Sequence, residues 1–170
     1  MVTAAQIIKS LNLQRNPAEG GLFASVYTAP VTIPDDQLKG FPKTSKGRPI
    51  CSAIYYMIRQ PDFSALHKVT GDMIYHFYAG DEVQMLLLLP GGKSETQTFG
   101  PKVRSTGSPM KIIPGGTWLG TRIRGKGAFA LMGVSMSPGF DPADYSIGTR
   151  DALTHQYPAQ TKLIKALTRQ

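Results

Sequence analysis

From residue 51 to residue 134 the chain is a succession of short apolar stretches, each closed by Gly, Pro or Asp and none with a helical period. The stretches run over 51–58, 64–69, 73–79, 83–89, 96–99, 110–113, 117–124 and 128–134. Strands of this length each bury one face, so a chain made of them must close into a sandwich or barrel. The flanks differ. Ile7, Ile8, Leu11 and Leu13 form an approximate helical stripe behind Thr3, a residue suited to an N-cap. Asn16-Pro17 ends that helix, Glu19-Gly20-Gly21 predicts a turn, and 22–27 predicts a strand. Residues 29–48 hold three prolines and two glycines and predict a long surface loop, a lid or an arm. The tail predicts helix at 151–153 and 160–167, with Leu163, Ile164 and Leu167 as its apolar face.

A chain of 170 residues with 41% hydrophobic content can bury a sizeable core. No repeat or linker divides it, so one domain over 1–170 is expected: an N-terminal part over 1–48, a barrel core over 49–136, and a closing turn and helix over 137–170. No apolar run reaches the length of a membrane span. The N-terminus has no basic-then-apolar signal pattern, and a single cysteine, Cys51, precludes an intrachain disulfide. Cytoplasm is the expected location, with no membrane partner. The net charge of +8 comes from scattered basic residues. The densest group, Arg122, Arg124 and Lys126, would share one strand face, either solvated or steering an anion. No basic recognition helix or aromatic-basic signature accompanies it, so no nucleic-acid partner is expected.

Chemistry concentrates in 63–80, which carries His67 and His76, two of the three histidines, beside Tyr75, Phe77 and Tyr78. Alternation sets Met73, Tyr75 and Phe77 on one face and His76 and Tyr78 on the other. His76 is therefore either a second pocket residue, if a bulge reverses it, or a structural residue on the outer face. Further landmarks are Ser52 to Tyr56, Pro114 with Gly116 and Trp118, Ser137-Pro138-Gly139-Phe140-Asp141, and Tyr157-Pro158.

In their order and number these landmarks resemble the cupin superfamily, in a branch classed as a domain of unknown function. The resemblance spans almost the whole chain. It implies an all-β fold, a double-stranded β-helix or jelly roll with short terminal helices, and a homodimer. Metal-binding cupins supply two histidines two residues apart, then a Glu, then a final His. By the register of that motif this chain has His67, Val69, Met73 and Leu119 at those places. One donor in four does not suit a divalent ion, so neither a metal nor a cofactor is expected.

The superfamily includes epimerases that work without metal, using a histidine base at the place of His67 and a tyrosine as partner acid. Tyr55, Tyr56, Tyr75 and Tyr78 are available for the second role, with Tyr75, on the Met73 face, as first candidate. The motif register also turns Thr117, Leu119 and Thr121 inward and Trp118 outward. Met73, Tyr75, Phe77, Thr117 and Leu119 would then wall a largely apolar pocket, or fill a core with no cavity. Tyr55, Tyr56, Phe63 and His76 complete the candidate ligand contacts. Glu19 either reaches the barrel mouth and pairs with His67 or bonds turn amides. The expected function is metal-independent binding of a small apolar molecule with acid/base chemistry: isomerisation, cyclisation or elimination. A non-catalytic binding protein and a metal-dependent enzyme are the alternatives.

Overall fold

A computed structural model describes residues 2–102 and 107–169. Helix α1 (Ala4–Ser10) opens with a capping box: the Gln6 amide donates to Thr3 Oγ1 (3.3 Å) and the Thr3 amide donates to Gln6 Oε1 (2.8 Å). The strands follow as β1 (Gln14–Arg15), β2 (Leu22–Thr28), β3 (Thr32–Ile33), β4 (Arg48–Pro49), β5 (Ser52–Arg59), β6 (Phe63–Lys68), β7 (Met73–Gly80), β8 (Val83–Leu88), β9 (Ser94–Phe99), β10 (Gly107–Ser108), β11 (Met110–Ile113), β12 (Trp118–Ile123), β13 (Phe129–Met136) and β14 (Ser146–Ile147). Helices α2 (Arg150–Gln156) and α3 (Thr161–Ala166) close the described chain.

The strands form a jelly roll of two six-stranded sheets. One runs β1-β2-β5-β13-β7-β11, the other β10-β9-β8-β12-β6-β14. Neighbours are antiparallel except β9 and β10. Alternation drives the packing: Tyr56, Met73, Tyr75, Met85, Leu87, Phe99, Leu119 and Met132 meet between the sheets. Outward residues of the second sheet, Leu66, Leu86 and Leu88, are covered by Leu153, Tyr157, Ile164 and Leu167 of the tail. Helix α1 caps one corner of the first sheet, where Ile7 and Leu13 pack on Met57 and Leu131.

Three expectations need correction. The 29–48 stretch is not only loop: β3 and β4 pair in it, and Arg48 is wholly buried. Its guanidinium grips Asp144 with two bonds, Nη2 to Oδ1 (2.6 Å) and Nε to Oδ2 (2.9 Å). The basic stripe is not one strand face, because β12 ends at Ile123 and Arg124 lies beyond it, paired with Glu82 at 3.0 Å. Thr117 likewise precedes β12 rather than belonging to it.

Candidate functional site

The site begins in the turn before β2. The Asn16 side-chain carbonyl accepts from the amides of Ala18 (3.0 Å) and Glu19 (3.3 Å), a local bond that bends the chain. Gly20 and Gly21 follow with φ of +96° and +71°. A Cβ on Gly21 would sit 2.7 Å from the Tyr56 hydroxyl and 2.8 Å from the Met57 carbonyl, so only glycine lets this turn lie against β5. The Gly21 amide and the Arg169 guanidinium both donate to the Asp62 carboxylate, each at 2.9 Å. The Glu19 side chain is thereby held inside the barrel, 7% exposed.

Strand β6 supplies the second half. Leu119 of β12 pairs with His67, but Thr121 pairs with Ser64, so β6 carries one extra residue between them. Such a bulge takes backbone groups out of the ladder and re-aims them. The Ala65 amide donates to the Glu19 carbonyl (2.7 Å), and the Leu66 amide to the Leu167 carbonyl (2.8 Å). The Ala65 carbonyl faces Nδ1 of His67 at 2.8 Å.

His67 is 3% exposed. Its Nε2 lies 3.3 Å from Oε2 of Glu19, and the Tyr145 hydroxyl donates to that same oxygen at 3.2 Å. The Tyr145 ring stacks on the imidazole, with centroids 5.6 Å apart and planes 19° apart. A carbonyl oxygen only accepts, so Nδ1 carries a hydrogen. Nε2 in turn faces the same Glu19 oxygen that receives the Tyr145 hydrogen. Imidazole and carboxylate are thus held at a fixed position from which a proton can be exchanged. Burial first, then the Glu19 charge, pushes the Tyr145 phenol far above its ordinary value. The same two causes, in the same order, raise Tyr56 and Tyr75. All three phenols are thus held protonated as donors.

A cavity of about 460 Å³ opens beside this cluster. Glu19, Tyr56, His67, Met73 and Tyr75, five of the residues expected from sequence, line it. The rest of the expected set lies elsewhere. Tyr55 sits on the outer face of its sheet, edge-on to Tyr78. His76 also faces outward, with Nε2 3.0 Å from the Ser135 hydroxyl. Phe63 packs among the C-terminal helices beneath Arg169. Phe77 packs edge-on against Phe99, and Leu119 is wholly buried in the core. Thr117 is buried with no partner for its hydroxyl among the described residues. Tyr55, His76 and Phe63 thus miss the cavity because they lie outside the space between the sheets, and Phe77 and Leu119 because the barrel is solid at the Phe99 and Leu119 end; the cavity runs instead along Phe23, Ile54, Val134 and Met136.

The model of the family described as Cupin superfamily (DUF985) matches residues 5–148. The chain belongs to that family. A solved Shewanella oneidensis protein is similar over 99% of both chains, at 27% identity and a TM-score of 0.86. A hypothetical protein from Leishmania major is similar over 99% of this chain and 100% of its own, at 24% identity and a TM-score of 0.86. A cupin 2 conserved barrel domain protein from Rhodopseudomonas palustris shares the fold, at 15% identity and a TM-score of 0.55, over 91% of this chain and 83% of that one. No curated protein matches.

Cupins of other branches often hold a metal, and the donors here do not fit one. By the register of the family's motif, Val69, Met73 and Leu119 occupy the places of the further ligands of a metal cupin. Glu19 adds one carboxylate, and no cluster of three His, Cys, Asp or Glu occurs among the described residues. One imidazole and one carboxylate fall short of the three protein ligands usual for a catalytic transition metal. In this cupin the missed residues come mostly from irregular chain. Tyr145 follows a single 3-10 turn, Pro142–Asp144, tied to Arg48 far away in sequence. Phe140 and Pro142 border the cavity from a segment that reads only as a turn. Phe23 and Ile54 were within reach of sequence, since their strands were predicted and they share the inward parity of Tyr56. No described helix is long and apolar enough to cross a membrane.

Proposed function

We propose that this cupin binds a small, largely apolar organic molecule in the barrel cavity and moves a proton on it. The observation that carries this is the His67–Glu19 pair, 3.3 Å apart, at the wall of a mainly apolar cavity. A desolvated acid/base pair acts strongly on a substrate held next to it. Isomerisation, cyclisation and elimination need only such a transfer, with no net redox change. In this reading Glu19 and His67 exchange the proton with the substrate. Tyr145 orients the carboxylate, and the Ala65 carbonyl holds the ring.

The test starts from the protein purified from its own host. Native mass spectrometry finds the bound molecule, which is extracted and returned to fresh protein. Wild-type protein is expected to convert it, and His67→Ala and Glu19→Gln to slow conversion at least 100-fold, the scale of general acid/base catalysis. A molecule returned unchanged would make the chain a carrier or sensor. Conversion surviving in His67→Ala would refute the assignment of the base.

A further inference from the structure

The polar groups facing the cavity restrict what can enter it. Neither Lys nor Arg lines the walls, whereas the Glu19 carboxylate does, and the only imidazole present is engaged with it. An anionic ligand would lose its hydration and meet no cation in return, a large cost in a site this buried. The burial that keeps Tyr56, Tyr75 and Tyr145 protonated, and the Glu19 charge after it, also oppose a carboxylate or phosphate in the same space. Sugar phosphates and nucleotides are therefore poor ligands.

Among the buried tyrosines, one hydroxyl is unspoken for. Tyr56 donates to the Gly20 carbonyl (2.8 Å), Tyr145 to Glu19 (3.2 Å) and Tyr157 to the Leu89 carbonyl (2.8 Å). The Tyr75 hydroxyl has no such partner among the described residues. Yet Tyr75 is only 2% exposed, lines the cavity, and has its ring fixed edge-on to Phe99 at 6.1 Å. Its hydroxyl is not among the buried unpaired atoms, so it opens onto the cavity, where a protonated phenol offers one donor to a ligand.

Building on the apolar-cavity reading above, we infer that the ligand is an uncharged, mainly hydrocarbon molecule presenting a carbonyl-type oxygen to the Tyr75 hydroxyl. A ketone, lactone or ester meets that description. The phenol then polarises the carbonyl while the His67–Glu19 pair exchanges a proton at the carbon beside it. The proton leaves that carbon for the pair, the C–H electrons delocalise toward the oxygen, and the proton returns to the opposite face of the same carbon or, where the ligand carries a β,γ-double bond, to the γ-carbon, which balances the step.

Three probes of one skeleton test this: phenylcyclohexane, 4-phenylcyclohexanone and 4-phenylcyclohexanecarboxylate, titrated by calorimetry into wild type and Tyr75→Phe. Wild type is expected to bind the ketone about tenfold tighter than the hydrocarbon, the value of one good hydrogen bond, and the carboxylate most weakly. Tyr75→Phe should bring the ketone down to the hydrocarbon's affinity and leave the hydrocarbon unchanged. A carboxylate that binds best, or a ketone preference that survives Tyr75→Phe, overturns the inference while the apolar cavity stands. Failure of both neutral probes to bind overturns the cavity reading, and this inference with it. In wild type alone, the carbonyl carbon-13 resonance of the labelled ketone should move downfield on binding. No movement counts against Tyr75 even if the variant folds poorly.

Discussion

Tyr56 and Asp62 show how single groups hold the Glu19 turn in place. The Tyr56 hydroxyl donates to the Gly20 carbonyl deep in the barrel. Removing it in Tyr56→Phe leaves that carbonyl unpaired, at a cost of about 1–2 kcal/mol, readable in urea unfolding. Asp62 is pulled two ways. Partial burial raises its pKa, but the Gly21 amide, Arg169 and the Phe63 amide more than offset this, so the net shift is downward from 3.8. A carboxylate whose folded value is depressed stabilises the fold fully above its unfolded value. That contribution is lost as pH falls through the lower folded value. Asp62→Asn should therefore melt earlier than wild type at neutral pH, by roughly 1–2 kcal/mol. The gap should narrow as pH falls below 3.8 and close once the folded carboxylate is itself protonated. A gap that is constant with pH would mean the charge is not what matters.

At the level of elements, the β6 bulge and the Arg48–Asp144 pair do most to assemble the site. The bulge turns the Ala65 amide toward the Glu19 loop and its carbonyl toward His67, joining two segments that no local pattern joins. The buried pair ties β4 to the 3-10 turn that delivers Tyr145. Burial makes such a pair one-sided: breaking it strands a charge, whereas replacing both partners with apolar groups of similar size is close to neutral. Asp144→Ala is expected to cost about 3–5 kcal/mol. The double replacement Arg48→Met with Asp144→Leu should recover most of that in chemical denaturation. If Tyr145 depends on the turn, probe binding should weaken in the single variant more than in the double. Gly20→Ala should be similarly damaging, because its Cβ would fall 2.5 Å from the Phe63 carbonyl oxygen on a φ of +96°.

The whole molecule treats its two outer faces unequally. The C-terminal helices cover the outside of one sheet, while the other sheet leaves Val26, Tyr78, Met110 and Ile112 in solvent, Ile112 at 62% exposed. Helix α1 reaches only one corner of it. An apolar sheet face of this kind is relieved by closing two copies over it. We expect sedimentation at micromolar concentration to give twice the chain mass. A Met110→Lys, Ile112→Lys variant should run as a monomer with its thermal stability little changed. A wild-type monomer would rule out this pairing.

Fold class was legible because alternation and Gly/Pro punctuation are local signals, set by strand geometry and turn sterics. That Trp118 and Leu119 face opposite ways follows from period two, with the motif register saying which is inward, and His76 obeys the same plain alternation. Part of the site was legible too: His67, Tyr75, Met73 and Tyr56 lie on strands whose inward parity could be read, and Glu19 stands beside the glycines that fix its turn. Only the tertiary structure decided which inward residues border space and which fill the barrel, because that depends on the volume contributed by the opposite sheet. Phe77, Thr117 and Leu119 share the interior side with Tyr75 and still miss the cavity for that reason. Tyr145 and Arg48 lay beyond the reach of sequence for another. Their places are set by hydrogen bonds between irregular segments, which carry no period and no spacing to read.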